Sequence, residues 1–290
     1  SEEISKVGTQ PILGSQINFK FDELIGKIPI FAKSEKGFRN LTKLSSKSFL
    51  DVEASQPPHC NLEDLLENCD DLIMTSGGLD SLFFKLIKKN NPKQLQQFSS
   101  EIKSVFGDRF YLEIQRHNDF EEKAIEHNLL ELSKKIKIPL IASQEVFYIE
   151  QDMFEAHDAL LCIGQKTYIN EEKRKKYSDQ HYIKSTDEIK QIYKDLPEAL
   201  ENNYNFPFRF SYKLKKSAPN LPSIKISSNL TEQEELLRLS TNGLKNRLEN
   251  FVFKKQKSFN KTKIEKIYNE RLNHEIQIIN KMNYSGYFLI

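Results

Sequence analysis

Four clusters of polar residues stand where short apolar runs stop, and their side chains are of the types that hold ligands. Gln16 follows Pro11-Ile12-Leu13, and Ser76-Gly77-Gly78 follows a run from Leu72 to Thr75. Arg116-His117-Asn118-Asp119 follows a run from Arg109 to Gln115, and Ser143-Gln144-Glu145 follows Leu140-Ile141-Ala142. Amides, an imidazole, a guanidinium and carboxylates on converging loops can form a binding or catalytic pocket. His117 carries the most chemistry, and it can equally be a structural histidine that fixes its loop by hydrogen bonds. The paired glycines permit a positive φ or a close backbone approach. The competing explanation for all four clusters is that they are the solvated loops of an ordinary α/β sheet.

The elements before each cluster must position it. Phe110, Leu112 and Ile114 alternate with Tyr111, Glu113 and Gln115, the period of a strand. A helix over residues 120–137 follows, with Ala124, Leu129, Leu130 and Leu132 on one stripe. Pro139 then opens a wholly apolar strand, of the kind buried on both faces of a parallel sheet. A further helix from about residue 151 carries Met153, Ala156, Leu160 and Leu161 at helical spacing, with Asp152 near its first turn. Strand, helix, strand, helix at this spacing predicts parallel strands with right-handed crossovers. Upstream, residues 11–13, 17–21, 28–32 and 72–75 read as strands, and Asn61 with Asp64 forms an imperfect capping box for a helix carrying Leu62, Leu65 and Leu66. The period fits a βα barrel or an open doubly wound sheet, and in both the ligand meets the C-terminal strand ends. A parallel sheet would aim all four clusters at one rim.

The totals exclude several classes. With 43 basic and 41 acidic residues the formal charge is only +2, so no global basic field announces nucleic acid. Three cysteines, Cys60, Cys69 and Cys162, have neither metal-ligand spacing nor an even count for a disulfide framework, which fits a reducing cytoplasm. No apolar run reaches the roughly 18 residues of a membrane span, and no signal peptide opens the chain. Ser1 is not an initiator methionine and the last residues stop inside an aromatic and aliphatic run, so the chain reads as an internal piece of a longer protein.

After Gly164 the texture changes. A polar loop carries the run Glu171-Glu172-Lys173-Arg174-Lys175-Lys176, either a nucleic-acid contact or a solvated face. Residues 213–229, with Pro219 and Pro222, read as an extended connector. From Thr231, which forms a capping box with Glu234, the chain is helical, with core faces built from Leu236, Leu237, Leu239 and Leu244 and from Ile264, Ile267, Leu272, Ile276 and Ile279. The expected organisation is an α/β domain over residues 1–212, a connector over 213–230 and a helical segment over 231–290. His59, His127, His181 and His274 are scattered, His157 reads as structural on its helix, and Cys162 as core. Lys254, Lys255 and Lys257 could touch a phosphate backbone or simply end a helix in solvent.

The runs FGDRFYLEIQRH, EAHDALLCI, DLPEALENN and the ending RLNHEIQIINKMNYSGYFLI, with PILGSQ and IFAKSEKGFRNLTKLSSKSFLD near the start, resemble in order the alpha subunits of bacterial DNA polymerase III. The resemblance is colinear over nearly the whole chain and leans toward the alphaproteobacterial branch. It implies a distorted βα barrel of the polymerase-and-histidinol-phosphatase (PHP) type, then a connector and helices leading into the polymerase palm. Such barrels can hold a metal cluster. The family pattern expects Glu at Gln16, Cys at Gly78, Asp at Glu145 and His at Phe147, while His117 keeps a ligand type and Glu145 remains a possible oxygen donor. The resemblance therefore implies a degenerate, inactive pocket made of Gln16, Gly78, His117, Glu145 and Phe147, with no metal. It places the polymerase aspartates, and their Mg²⁺, beyond Ile290, so no polymerase catalytic residue is expected here and no cofactor of this stretch itself. The implied role is that of part of a DNA-directed DNA polymerase, a nucleotidyltransferase of DNA replication. Its partners would be the rest of the polymerase chain, the proofreading exonuclease subunit, other replisome proteins and, through the parent protein, DNA. An active metal-dependent phosphoesterase of the same barrel family and a stand-alone interaction module are the alternatives.

Overall fold

A computed structural model describes residues 2–216, 226, 230–255 and 260–290. Most of the expected connector, with Pro219 and Pro222, and Lys257 of the basic cluster lie outside the described residues. The chain divides into two compact units, Ser1–Leu214 and Lys215–Ile290.

In the first unit a short helix α1 (Glu2–Lys6) precedes β1 (Gly14–Phe21), β2 (Leu24–Ala32), α2 (Glu35–Leu50), β3 (Cys60–Asn61), α3 (Leu62–Glu67) and β4 (Leu72–Thr75). There follow α4 (Leu82–Lys88), α5 (Pro92–Phe106), β5 (Phe110–Gln115), α6 (Phe120–Ile136), β6 (Leu140–Ser143), α7 (Phe154–Gln165), α8 (Thr186–Ile192) and α9 (Pro197–Asn205). Helix starts follow local chemistry: Ser34, Ser81, Asn91 and Asp119 accept backbone N–H groups at the starts of α2, α4, α5 and α6. The Asp64 carboxylate accepts the Asn61 N–H at 3.0 Å, so the imperfect box ahead of α3 does form one of its bonds.

The α/β class expected from the sequence holds, but the sheet is mixed and open. Its order is β3-β1-β2-β4-β5-β6. The strands β4, β5 and β6 are parallel as expected, and β1 pairs β3 in parallel. The exception is β2, antiparallel to both β1 and β4. The cause is local: β2 begins at Leu24, directly after Asp22, whose φ is 51°, and Glu23. Strands joined by two residues can only fold back on each other. The expected strand over residues 11–13 is absent, and β1 starts at Gly14.

Two faces of the sheet are covered. Phe110, Leu112 and Ile114 join Phe19, Ile28, Ile30, Phe83 and Phe98 in the main core, under α2, α4, α5 and α6. Tyr111, with Ile73 and Ile141, meets Phe206 and Phe210 on the other face. The alternation in β5 is thus realised, and β6 is buried on both sides because Leu140 and Ala142 face one cluster and Ile141 the other. The residues at helical spacing on α7 are in part exposed. Met153 and Leu160 are 44% and 64% exposed, and the helix buries Cys162 instead.

In the second unit α10 (Glu232–Arg247) is followed by a π-helical turn at Leu248–Val252, α11 (Phe253–Lys255), α12 (Lys261–Lys281) and α13 (Ser285–Leu289). Leu236, Leu248 and Ile276 are buried where α10 packs on α12 and α13. Of the expected core positions, Leu237, Leu239 and Ile267 are exposed instead. A helical unit of this length is too small to cover every apolar position.

Candidate functional site

The site forms where β5 and β6 end. After Gln115 the chain turns through Asn118, which has φ 62°, and Asp119 caps α6, accepting the Glu121 N–H at 2.6 Å. This turn puts Glu122, in the first turn of α6, directly behind His117. One Glu122 oxygen accepts the His117 backbone N–H at 2.6 Å, and the other accepts from His117 Nδ1 at 2.6 Å. On the far side of the ring the Glu145 backbone N–H donates to Nε2 at 3.0 Å. A backbone N–H can only donate, so Nε2 is the acceptor and Nδ1 carries the proton: His117 is the neutral tautomer with both nitrogens engaged. Its ring has no solvent exposure.

His181 completes the arrangement. It stacks on His117 with ring centroids 4.0 Å apart and 4° between planes. Its Nδ1 donates to the Glu145 carbonyl at 3.0 Å, and its own carbonyl accepts the Phe147 N–H at 2.9 Å. The Ser178 hydroxyl donates to the His117 carbonyl at 2.5 Å. The Glu145 backbone is therefore bonded to His117 through its N–H and to His181 through its carbonyl. Burial pulls the His181 pKa down to about 4. For Glu122 burial pushes the carboxyl up, but the bonds from His117 outweigh it and hold the group below the usual carboxylate range. Burial and then Asp80 push Glu145 above it.

The aromatic layer continues outward. Phe147 lies 5.1 Å from His181, 4.3 Å from Tyr177 and 5.2 Å from His157, the last at 9° between planes. His157, expected as a structural residue of its helix, thus belongs to the cluster, and its Nδ1 is buried without a hydrogen-bond partner. A cavity of about 250 Å³ opens beside this layer, lined by Asp80, Gln115, Glu145, Lys175, Tyr177 and His181 among others.

The other expected site residues are placed differently. Gln16 is the third residue of β1, opposite Pro29, exposed, with β2 and β4 between its strand and β5. It is not at a strand end, because the strand starts rather than stops there. Gly78 is at the site, and a Cβ on it would come within 2.3 Å of the Gln115 side-chain oxygen, so the amide of Gln115 occupies that space. Arg116 is committed elsewhere: it binds Glu126 at 2.5 Å and Asp195 at 2.6 Å, donates to the Ile192 carbonyl at 2.7 Å and lies over the Tyr193 ring. Its neighbours Glu126 and Asp195 also line a larger cavity of about 660 Å³. In the charged run, Arg174 is held by Asp158 with only 3% of its side chain exposed, so the run is not a uniformly solvated face.

Sequence reasoning missed His181, which no spacing connects to His117, and it missed Glu113. The Glu113 carboxylate is buried within the sheet and accepts from Thr75 at 2.5 Å, Gln115 at 2.6 Å and Ser143. The available signal was a carboxylate on the same strand face as the buried Tyr111. Among the described residues no group of three or more His, Cys, Asp or Glu side chains is placed to hold a metal ion.

Comparison with known proteins agrees with the resemblance in order and extent. The PHP domain family matches residues 1–117, and the bacterial DNA polymerase III alpha NTPase domain matches residues 234–290. DNA polymerase III subunit alpha of Rickettsia conorii is 35% identical over 98% of this chain, and that of Caulobacter vibrioides 32% over 98%. The Vibrio cholerae protein of the same name is 30% identical over 98% of the chain. The chain spans 24% of the length of the Rickettsia conorii protein and 25% of the Caulobacter one, about a quarter in each case. One continuous alignment carrying two domains in their expected order makes the chain similar, over nearly its whole length, to about a quarter of the length of the bacterial DNA polymerase III alpha subunits.

Proposed function

We propose that this chain is the PHP-domain stretch of a DNA-directed DNA polymerase and that its first unit serves the enzyme as a non-hydrolytic scaffold. The observation that carries the reading is the alignment over 98% of the chain with proteins named DNA polymerase III subunit alpha. The scaffold role is supported by the chemistry of the five pocket positions. A transition-metal cluster needs several free lone pairs converging on one point. Gly78 and Phe147 have none to offer, Gln16 is a neutral amide on a distant strand, and the His117 Nε2 lone pair accepts from the Glu145 peptide. Glu145 alone is left with a free donor, so these residues do not fit the metal group and no hydrolytic step is derived. Their hydrogen bonds instead tie the ends of β5 and β6 to the segment around Ser178 and His181.

Nucleotide addition belongs, on this reading, to carboxylates elsewhere in the polymerase, where bound Mg²⁺ supplies charge for the attacking hydroxyl and the departing pyrophosphate. The proofreading exonuclease and other replisome proteins are the partners of that enzyme, DNA its substrate and the cytoplasm its compartment. Two measurements test the proposal. Elemental analysis of the purified 290-residue chain is expected to find no stoichiometric zinc, iron or manganese, and several bound ions per chain would overturn the scaffold role. Primer extension with Mg²⁺ is expected from the whole polypeptide and not from this chain alone. A whole polypeptide unable to extend a primer would overturn the polymerase reading.

A further inference from the structure

The formal charge of +2 hides a division between the two units. Ser1–Leu214 carries 29 basic and 34 acidic residues, whereas Lys215–Ile290 carries 14 basic and 7 acidic. Within the second unit the charges are again unevenly placed. α13 packs on α10, where a Cβ on Gly286 would come within 2.8 Å of the Glu232 side chain, so the end of α12 lies by the start of α10. At the other end Lys261 Nζ lies 5.4 Å from the Phe253 ring centroid, which sets the start of α12 beside α11. The first end holds Glu232, Glu234 and Glu235, and the second holds Lys245, Arg247, Lys254, Lys261 and Lys263.

The cations also differ in how they are paired. Arg238 binds Glu235 at 2.6 Å, Lys266 lies 3.9 Å from Glu270 and Arg271 binds Glu275. Among the described residues none of the five cations at the second end has a carboxylate partner, although Glu249 and Glu265 are near in sequence, and all five are exposed. Like charges gathered in one place repel, so the fold gains nothing from this cluster. An aromatic ring stands among them. Phe251 is 61% exposed in the π-helical turn, four residues after Arg247 and three before Lys254, spacings that keep neighbours on one face of a helix. Cations that track a phosphate backbone, interleaved with an aromatic ring on which a base can stack, make the surface that holds a single nucleic-acid strand. An acidic protein surface would engage the cations and leave the ring without a role. We propose that this end of the second unit is a contact for single-stranded DNA, with Lys254, Lys261 and Lys263 on its phosphates and Phe251 under a base. The inference deepens the polymerase reading given above and rests on it for the choice of DNA.

Fluorescence anisotropy of a labelled oligothymidylate of about 20 nucleotides, titrated with the 290-residue chain, tests it. For four or five phosphate contacts on a single strand, log K against log salt should have a slope of about −3, a loss of roughly 50-fold between about 50 and 200 mM salt. Lys254→Gln, Lys261→Gln and Lys263→Gln together should remove about 2 from that slope and weaken binding roughly tenfold or more at low salt. The corresponding three arginine substitutions keep the charge and should retain binding, which separates a lost contact from a damaged fold. Phe251→Ala should weaken the oligothymidylate roughly tenfold and leave a duplex of the same length unaffected. Lys93→Gln, Lys134→Gln and Lys135→Gln remove the same charge from exposed positions of the first unit and should change neither value. Absence of salt-dependent binding, or an equal loss in the first-unit variant, would overturn the proposal. So would a preference for duplex that ignores Phe251→Ala, or polyglutamate bound as tightly as the oligothymidylate, the latter in favour of an acidic protein surface. Primer extension keeps the two ideas apart. A whole polypeptide that extends a primer while this end binds no single strand removes only this inference, whereas one that extends no primer removes the polymerase reading itself.

Discussion

His117 holds more of the site together than any other side chain, and it does so by satisfying buried polar groups. Removing its ring leaves the Glu122 carboxylate and the Glu145 N–H without their partners, at a position where His117 and Glu122 are buried. Each orphaned group costs about 1–3 kcal/mol, so His117→Ala is expected to lower stability by roughly 3 kcal/mol in urea denaturation. Gln16→Ala, at an exposed position, should stay within about 0.5 kcal/mol of the parent. Equal effects from the two changes would refute the structural role assigned to His117. His181 makes the site sensitive to acid. Its pKa is about 4 in the folded chain and near its ordinary 6.5 when unfolded, so between those values the unfolded state binds the extra proton. The stability it contributes is complete above pH 6.5 and falls as the pH drops toward 4, by on the order of 2–3 kcal/mol. Glu122, held low, adds to the acid loss at still lower pH, and Glu145, held high, opposes it. The difference in urea stability between pH 6.5 and pH 4.5 should shrink in His181→Gln, and an unchanged difference would exclude His181 as the source.

Among the elements, α2 illustrates how packing overrides intrinsic preference. Gly37 lies in its first turn, and alanine there would ordinarily favour the helix by about 1 kcal/mol. The structure reverses that expectation, because a Cβ on Gly37 would sit 2.1 Å from the Asp71 carbonyl oxygen in the turn before β4. Gly37→Ala is expected to destabilise by about 1–3 kcal/mol, as overpacking does, read as a fall in the thermal midpoint. A rise would mean that α2 can move away from Asp71 at no cost. The strands teach a related lesson. The period of two in β5 and the apolar run of β6 were legible in the sequence because each strand's residues report their own surroundings. The antiparallel direction of β2 was not, since it follows from a two-residue link whose strand start, Leu24-Ile25-Gly26-Lys27, lacks the apolar run that marks a buried strand.

At the scale of the molecule the two units have separate cores. The main cluster lies wholly within the first unit, where β5, the sheet around it and the helices over it contribute every member. A polypeptide of residues 1–214 is therefore expected to unfold in one cooperative transition by circular dichroism, with near-UV signal retained below it. A gradual, non-cooperative loss would show that this unit depends on the second for its fold.

The sequence by itself determined the α/β class, the parallel pairing around β5, most helix starts and the resemblance to the polymerase subunits, because these depend on local periodicity, capping residues and long colinear strings. It also marked the strand ends where the site forms. Only the tertiary structure decided what those ends do. It brought His181 onto His117 from 64 positions along the chain, closed both nitrogens of His117 with partners from α6 and the end of β6, and sent Gln16 to a strand that does not adjoin β5. It also left Leu160 of α7 exposed. Periodicity tells which side of an element is apolar, but which neighbour meets that side is set by the path of the whole chain.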